Sequence, residues 1–351
     1  MALIRLVPLP TVAIALLSCT LAIVSHQSRL REAHSPAMAG PAYVYDALVI
    51  GGGPAGLSTA LGLARQLYTT IVFDSGQYRN DPTEKMHNVL TWDHRHPTEY
   101  RATAHANILA RYSTVQFQNT SVESITKGAD GTFEAIDKNK NKYTGKRVVL
   151  ATGVKDILLD IPGYKELWGR SIFHCLFCHG YEERRSSSAG VLAQGVLADP
   201  QLNLHMARMV ARLAASVTIY SNGDITVTEQ LEKQLAGKPL TIEPRRITSL
   251  ERKGTRGSDM TVHFEDGNSK DEVFLAHIPR TEINGPFLRQ LDVEVENGVI
   301  KTVPPFYETT VSGVFAVGDC ATALKTVTQA VAMGSFGAGG VAQQLGGLGN
   351  L

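Results

Sequence analysis

The chain contains 351 residues, which is enough for about two domains that each bury a hydrophobic core. Apolar residues make up 43% of the sequence and charged residues 19%, a composition that excludes a disordered chain and a disulfide-stapled mini-protein. The formal net charge is +1, and no long block of like charges occurs, so we expect no nucleic-acid partner.

The N-terminal segment is apolar. Residues 6–24 carry no charge, and arginines flank both ends. Because two prolines interrupt its start, the segment matches the apolar region of a secretory signal peptide better than a membrane span. We interpret residues 1–42 as an apolar leader and linker that directs the chain to the secretory pathway or, through residues 6–24, to a membrane. A cytoplasmic location, with translation starting near Met38, is the alternative.

A nucleotide-binding fingerprint follows the leader. The β-rich sequence YDALVI runs into GGGPAG, and apolar residues at helical spacing come next, which predicts a strand, a tight turn and a helix. Gly51, Gly53 and Gly56 occupy the GxGxxG positions, where glycine permits the turn, a close pyrophosphate and the packing of helix on strand. A second predicted strand, residues 69–73, ends in Asp74, which can accept a hydrogen bond from a ribose hydroxyl.

Two later predicted strands also end in small residues. Residues 146–150 lead into Ala151, Thr152 and Gly153, and residues 313–317 lead into Gly318 and Asp319 before a helical stretch. The carboxyl ends of parallel strands meet at one edge of a sheet, where α/β folds bind nucleotides. We therefore predict that one dinucleotide contacts both ends of the chain, which favours FAD over NAD.

Cys175 and Cys178 form a CxxC pair within IFHCLFCHGYE. Such a pair can be half of a zinc site, a structural disulfide or a redox pair. No second ligand pair follows at zinc spacing, and a bridge between residues three apart closes too small a loop to stabilise the fold much. We therefore interpret the pair as redox-active and predict no metal site. We expect Cys19 and Cys320 to be inert.

The glycine turn, the Ala-Thr-Gly turn, the CxxC and the C-terminal Gly-Asp together resemble the low-molecular-weight thioredoxin reductases of the class-II pyridine nucleotide-disulfide oxidoreductase superfamily. Within that group, CHGYE and the sequence MHNVLTWDHR look most like the FAD-dependent dithiol oxidases of fungal epidithiodioxopiperazine pathways, the gliotoxin oxidase-like enzymes. The resemblance implies an α/β fold with two dinucleotide-binding domains and a homodimer. The expected FAD domain comprises residues 43–160 plus 283–351, and an NADPH-domain-like insert, residues 161–282, carries the CxxC.

The resemblance also assigns roles to the site residues. It implies that Cys178 lies against the flavin, that Cys175 exchanges with substrate, and that His179 takes the place of the reductases' acidic proton donor. An imidazole at this position can move a proton near neutral pH. The flavin contacts that we predict are Gly51, Gly53, Pro54, Ala55, Gly56, Asp74, His87, Val122, Ala151, Thr152, Gly153, Gly318, Asp319, Gln329 and Ala330.

A reductase of this family would bind NADPH through a second glycine turn and an arginine-bearing strand end. Here the corresponding turn reads AQGVLA, with Ala193 in place of the first glycine. The next predicted strand, residues 216–220, ends in SNGD and offers no guanidinium to a 2′-phosphate. We interpret Arg245 and Arg246, which follow a further strand, as surface residues.

We therefore expect the enzyme to oxidise a small-molecule dithiol to a disulfide, with O2 as the acceptor that becomes hydrogen peroxide. An NADPH-dependent thioredoxin or disulfide reductase is the alternative.

Overall fold

The computed structural model describes residues 43–235, 240–255 and 257–347, so the predicted leader lies outside the described residues. Within those three ranges, no helix is both long enough and apolar enough to traverse a lipid bilayer. The described chain alternates strands and helices, which confirms the predicted α/β class.

The described residues form strands that are mostly short and α-helices of four to twenty residues. The strands are β1 (Val44–Ile50), β2 (Thr70–Phe73), β3 (Val115–Gln118), β4 (Val122–Lys127), β5 (Phe133–Asp137), β6 (Lys142–Leu150), β7 (Val154–Ile157), β8 (Ile172–Phe173), β9 (Ala189–Leu192), β10 (Val217–Tyr220), β11 (Thr241–Glu243), β12 (Ile247–Arg252), β13 (Met260–Phe264), β14 (Ser269–Glu272), β15 (Leu275–Ala276), β16 (Arg280–Ile283), β17 (Val295–Glu296), β18 (Val299–Ile300), β19 (Thr302–Val303), β20 (Glu308–Thr309) and β21 (Val314–Ala316). The α-helices are α1 (Pro54–Ala64), α2 (Pro97–Leu109), α3 (Tyr164–Leu167), α4 (Leu176–His179), α5 (Pro200–Val210), α6 (Ile225–Leu235), α7 (Phe287–Gln290) and α8 (Val327–Gly346). Two short 3-10 helices span Gly195–Ala198 and Gly318–Ala321.

A nine-stranded sheet contains strands from both the first and the last part of the described chain. Its order is β19-β20-β21-β6-β1-β2-β3, and the β4–β5 hairpin joins it through β6. Strand β1 is parallel to β2 and β6, and β6 is parallel to β21. Strand β2 is buried along its whole length, as is usual for a strand inside a parallel sheet. The carboxyl ends of these strands lie at one edge of the sheet. This confirms the prediction that the glycine turn after β1, the Ala-Thr-Gly turn after β6 and the Gly-Asp turn after β21 meet there.

Helix α1 packs closely on α8, so residues far apart in sequence lie together. A Cβ on Gly62 would lie 2.6 Å from the Cβ of Ala338, and a Cβ on Gly334 would lie 2.3 Å from the carbonyl oxygen of Ala55. The Ser58 hydroxyl donates to the carbonyl oxygen of Val331 at 2.8 Å. This contact places the Gly-Asp turn, which precedes α8, beside the glycine turn that precedes α1.

In the sequence, the strands of a second sheet come between the two groups of strands that form the first sheet. Five parallel strands have the order β11-β10-β9-β15-β8, and the antiparallel strands β12, β13 and β14 form a separate three-stranded sheet. Strands β7 and β16 pair antiparallel, one before this segment and one after it. The dithiol follows β8, at the edge of the five-stranded sheet.

The central strand β1 supplies the first stability prediction. Leu48 is fully buried in the core, whereas Leu67, just beyond α1, is 79% exposed. Leu48→Ala should lower the free energy of unfolding by about 2–5 kcal/mol because it removes buried methyl groups and leaves a cavity. Urea unfolding followed by far-UV circular dichroism measures this loss, with Leu67→Ala as the matched control. Equal losses in the two variants would contradict the assignment of Leu48 to the core.

Candidate active site

A cavity of about 410 Å³ opens at the edge of the nine-stranded sheet where β1, β2, β6 and β21 end. Of the predicted flavin contacts, it is lined by Gly51, Gly53, Pro54, Ala55, Asp74, His87, Val122, Ala151, Thr152, Gly153, Gly318, Asp319 and Ala330. Cys178 and His179 also line it. Three predicted site residues, Gly56, Gln329 and Cys175, do not line the cavity.

The three fingerprint glycines serve different purposes. Gly51 has φ +122°, and a Cβ there would lie 2.2 Å from the carbonyl oxygen of Ala151. At Gly56 a Cβ would lie 1.8 Å from the carbonyl oxygen of Gly51, so this glycine lets α1 approach the turn. A Cβ on Gly53 would meet no protein atom within 4 Å. Gly51 and Gly56 are therefore required by the fold, whereas Gly53 faces open space that a ligand can approach.

The amino end of α1 is suited to a phosphate group. Its N-cap residue is Gly53, and no side chain among the described residues caps it through a hydrogen bond. Unpaired N–H groups at a helix N-terminus, together with the helix dipole, favour a bound anion. The turn thus fits the pyrophosphate of a dinucleotide.

Asp74 lies at the end of β2 and faces the cavity. Its carboxylate accepts hydrogen bonds from the Tyr78 hydroxyl at 2.5 Å and from the backbone N–H of Gly76 at 2.9 Å. Burial and the bond to Asp74 raise the pKa of Tyr78, so the phenol stays a donor. A carboxylate has about four acceptor positions, which leaves Asp74 capacity for a ribose hydroxyl.

Arg79 is a cavity residue that the sequence motifs did not indicate. Its guanidinium donates to Asp156 at 2.8 Å and to Asp319 at 3.1 Å, and only 16% of its side chain is exposed. Burial raises the pKa of Asp319, and the positive charge of Arg79 opposes this effect. Arg79 therefore fixes the orientation of the Asp319 carboxylate. No motif surrounds Arg79 in the sequence, since its partners come from β7 and the Gly-Asp turn.

The CxxC pair forms a disulfide with an S–S distance of 2.04 Å. Both cysteines are half-buried, and Cys178 lines the cavity whereas Cys175 does not. Between them, Leu176 is buried in the core of the second sheet, while Phe177 is 76% exposed. Of the two apolar loop residues, one is therefore a packing residue and the other is available at the surface.

His179 is held between aromatic neighbours beside the disulfide. Its ring stacks on Phe173 with centroids 5.0 Å apart, and it meets the ring of His87 edge-on at 6.1 Å. Burial lowers the pKa of His179 to about 4, and the nearby His87 adds to this shift. The imidazole is therefore neutral at physiological pH.

His174 is a second neutral imidazole at the cavity. It stacks on Trp168, with ring centroids 5.5 Å apart. Burial, followed by the charge of Arg79, lowers its pKa to about 4.

The turn after β9, where a reductase would bind NADPH, leads into the 3-10 helix Gly195–Ala198 before α5 begins. The backbone N–H groups of Ala193 and Val196 donate to the carbonyl oxygens of Tyr220 and Ile278. Asp199 then caps α5, since its carboxylate accepts from the N–H groups of residues 201 and 202 at 2.9 and 3.0 Å. An acidic side chain thus stands at the amino end of the first α-helix after this turn, where its charge disfavours a second anion. The Asp-Pro pair before α5 is the sequence signal that could have revealed this cap.

The end of β10 carries an acidic side chain rather than a basic cluster. Asp224, which follows β10, accepts a hydrogen bond from the N–H of Val227 at 3.0 Å and so caps α6. Arg245 is bound by Glu243 at 2.6 Å and by Asp266 at 2.8 Å. These ion pairs agree with the interpretation of Arg245 as a surface residue.

Comparison with known proteins identifies similar chains. Residues 45–334 match the family described as pyridine nucleotide-disulphide oxidoreductase. The thioredoxin reductase sirT of Leptosphaeria maculans is 43% identical over 309 residues, which cover 85% of this chain and 93% of that protein. The thioredoxin reductase aclD of Aspergillus oryzae is 44% identical over 312 residues, which cover 88% of this chain and 98% of that protein. A solved oxidoreductase from Agrobacterium tumefaciens has a TM-score of 0.77 at 30% identity and covers 86% of this chain and 99% of that chain.

Gly53 and Gly56 allow a matched test of the dinucleotide turn. Gly53→Ala adds a methyl group into open space, so it should leave the fold intact and reduce the bound flavin per chain. Gly56→Ala pushes a methyl group against the carbonyl oxygen of Gly51, so it should destabilise the protein itself. Flavin absorbance per chain and the circular dichroism spectrum measure the two effects. Full flavin content in folded Gly53→Ala would contradict the placement of the phosphate at this residue.

Three buried histidines predict how stability depends on pH. Burial lowers the pKa of His174, His179 and His277 to about 4, from an ordinary value of 6.5. Between these values the unfolded chain binds more protons than the folded protein, so the free energy of unfolding should fall as pH decreases from 6.5 towards 4. Urea unfolding at a series of pH values measures this slope. His179→Gln should flatten it, and His205→Gln, at an exposed position, should not. A flat wild-type profile would contradict the neutral state of these imidazoles.

Proposed function

Because the chain belongs to the pyridine nucleotide-disulphide oxidoreductase family and is a thioredoxin reductase-like flavoprotein that binds FAD, we propose that it oxidises a small-molecule dithiol to a disulfide. Electrons enter through the Cys175–Cys178 pair and leave to O2, with hydrogen peroxide as the second product. This proposal assigns no role to NADPH.

One observation carries the proposal, namely the contrast between the first α-helix after each of the two glycine-containing turns. The amino end of α1 has no side-chain cap among the described residues, whereas Asp199 occupies the amino end of α5. A phosphate arriving at α5 would have to displace a carboxylate of the same charge sign and break its two hydrogen bonds. A dinucleotide phosphate is therefore disfavoured at α5, which supports an electron donor other than NADPH.

The disulfide and His179 support a thiol–disulfide exchange. A substrate thiolate attacks the sulfur of Cys175, which forms a mixed disulfide, breaks the Cys175–Cys178 bond and releases the Cys178 thiolate. The second substrate thiol gives its proton to a base and attacks the substrate sulfur of the mixed disulfide, which releases Cys175. The substrate loses two electrons and two protons. We assign the role of base to His179, which lines the cavity together with Cys178.

FAD, when bound, takes the electron pair from the reduced cysteines and passes it to O2, which becomes hydrogen peroxide. The protein holds the group through residues at three strand ends. Gly53 would admit the pyrophosphate to the end of α1, Asp74 would accept from the ribose, and Asp319, oriented by Arg79, would bond the ribityl chain. Cys178 lines the same cavity, which supports its role as the cysteine nearer the flavin.

The surface around the disulfide supports a small apolar substrate. Phe177, between the cysteines, is 76% exposed, and Tyr181, which follows the pair, is 66% exposed. Exposed aromatic side chains provide contact area for an apolar ring system. Together with the resemblance to epidithiodioxopiperazine dithiol oxidases, this surface supports a role in secondary-metabolite biosynthesis.

An NADPH-dependent disulfide reductase is the second candidate function. The similar proteins sirT and aclD carry the name thioredoxin reductase, which favours this activity. A reductase would have to receive hydride from NADPH bound at the β9–α5 turn.

Anaerobic titration of the yellow oxidised protein separates the two functions. We expect a reduced small-molecule dithiol to bleach the flavin absorbance, and we expect NADPH to leave it unchanged. On admission of air, the dithiol-reduced protein should regain its colour and release hydrogen peroxide, which a peroxidase-coupled dye measures. Bleaching by NADPH without bleaching by dithiol would show the reductase function instead.

Cysteine variants test the path of the electrons. Cys178→Ser should abolish bleaching by dithiol, because the disulfide that accepts the electrons is absent. Cys320→Ala is the matched control, since Cys320 is a buried free thiol that does not line the cavity. Dithiol oxidation by Cys178→Ser at the wild-type rate would overturn the proposed path.

A further inference from the structure

A cluster of three side chains lies beside the disulfide, and one of them, His87, also lines the cavity as a predicted flavin contact. His87 and His94 belong to one loop, and Glu182 follows the dithiol segment. His87 Nε2 lies 3.2 Å from His94 Nδ1 and 3.5 Å from Glu182 Oε1. One ligand atom from each residue lies within 4.8 Å of the other two. Residues about ninety positions apart in sequence thus converge on one point.

The spacing of these atoms fits a tetrahedral metal ion. Zinc binds imidazole nitrogen and carboxylate oxygen at about 2.0–2.1 Å, which places neighbouring tetrahedral ligand atoms about 3.3–3.4 Å apart. The two short separations in the cluster, 3.2 and 3.5 Å, lie on either side of this value. Three protein ligands with water as the fourth complete a tetrahedral set.

The second nitrogen of His87 has an acceptor that fixes its tautomer. His87 Nδ1 lies 2.5 Å from the carbonyl oxygen of Cys178, which can only accept, so this nitrogen carries the proton. When the ring is neutral, His87 Nε2 therefore presents a lone pair to His94 Nδ1, which lies 3.2 Å away. His94 Nε2 lies 3.3 Å from the carboxylate of Asp93. Metal-binding histidines are commonly oriented by such acceptors.

The loop that carries both histidines is held in place by its own backbone. The N–H of Met86 donates to the carbonyl oxygen of Arg95 at 2.8 Å, and the N–H of His94 donates to the carbonyl oxygen of Met86 at 2.9 Å. Asp93 accepts from the backbone N–H of Asn88 at 2.9 Å. Two imidazole nitrogens and a carboxylate thus face one point, an arrangement that a bound cation would satisfy.

We propose that His87, His94 and Glu182 bind one Zn²⁺ ion, which ties the loop of residues 86–95 to the segment that follows the dithiol. Imidazole donors select a transition cation over Mg²⁺ or Ca²⁺, which prefer oxygen ligands. The bound ion fixes His87 and Glu182 together, and His87 holds the carbonyl group of Cys178. Occupancy therefore restrains the disulfide and slows its reduction by reagents from solution.

Zinc binding is measured on the oxidised, FAD-loaded full chain after treatment with a chelator and dialysis. Titration with ZnCl2 in competition with a chromophoric chelator gives stoichiometry and affinity. Because Cys175 and Cys178 are then a disulfide, and no dithiol or NADPH is present, the result is independent of the proposed oxidase reaction. Loss of tight binding in the variants below identifies the site even if other residues bind zinc.

His94→Ala and Glu182→Gln should each weaken the tight site by at least about tenfold. Asp93→Asn, which removes the negative charge 3.3 Å from His94 Nε2 and alters the acceptor of the Asn88 N–H, should weaken it by about 10–100-fold. His263→Ala is the matched control, because His263 lies 3.3 Å from Glu251 without the third ligand. The His263→Ala variant should bind zinc with the same affinity as the wild type. Flavin content and circular dichroism verify that each variant is folded.

Reduction of the disulfide by a phosphine, which avoids the chelation of zinc by thiols, tests the restraint. Saturating ZnCl2 should slow reduction severalfold in the wild type and should have no effect in His94→Ala. Absence of tight zinc binding in the wild type would overturn the proposal, because it would mean that the two histidines share a proton instead of a metal ion. Equal affinity in His94→Ala would overturn the site, and an unchanged rate of reduction would overturn the restraint.

Discussion

The backbone N–H groups at the first turn of an α-helix must be satisfied, and whichever group satisfies them decides what else can bind there. At α1 no side chain takes this role among the described residues, and the glycine turn leaves open space at Gly53. At α5 the carboxylate of Asp199 takes it. The first α-helix after the glycine turn thus has an open amino end, whereas the first α-helix after the second turn is capped by a carboxylate. The direction of electron flow in the proposed reaction depends on this difference.

The proposed chemistry also depends on burial near the disulfide. Cys178 and His179 belong to a segment that follows β8, the edge strand of the second sheet, yet both line the cavity at the edge of the first sheet. Removal from water disfavours the charged imidazole, so the pKa of His179 is lowered and the ring is neutral. The exposed ring of Phe177 lies between the two cysteines. A neutral imidazole and an exposed aromatic ring therefore flank the disulfide.

Polar residues around the cavity act mainly by orienting one another. Arg79 fixes Asp319 and Asp156, Tyr78 donates to Asp74, and His87 bonds the carbonyl group of Cys178. The contacts of Arg79 and His87 join segments that are far apart in sequence, whereas Tyr78 and Asp74 lie four residues apart in one loop. The proposed zinc site belongs to the same pattern, since its ligands tie the loop of residues 86–95 to the dithiol segment.

The sequence by itself determined those features that depend on neighbours along the chain. The glycine spacing at Gly51 and Gly56, the carboxylate at the end of β2 and the CxxC pair could be recognised because a turn, a strand end and a three-residue loop are local. Only the tertiary structure decided the partners of Arg79, the pairing of Glu182 with His87 and the depressed pKa of His179. These properties depend on distances and burial between residues far apart in sequence, and no local pattern specifies them.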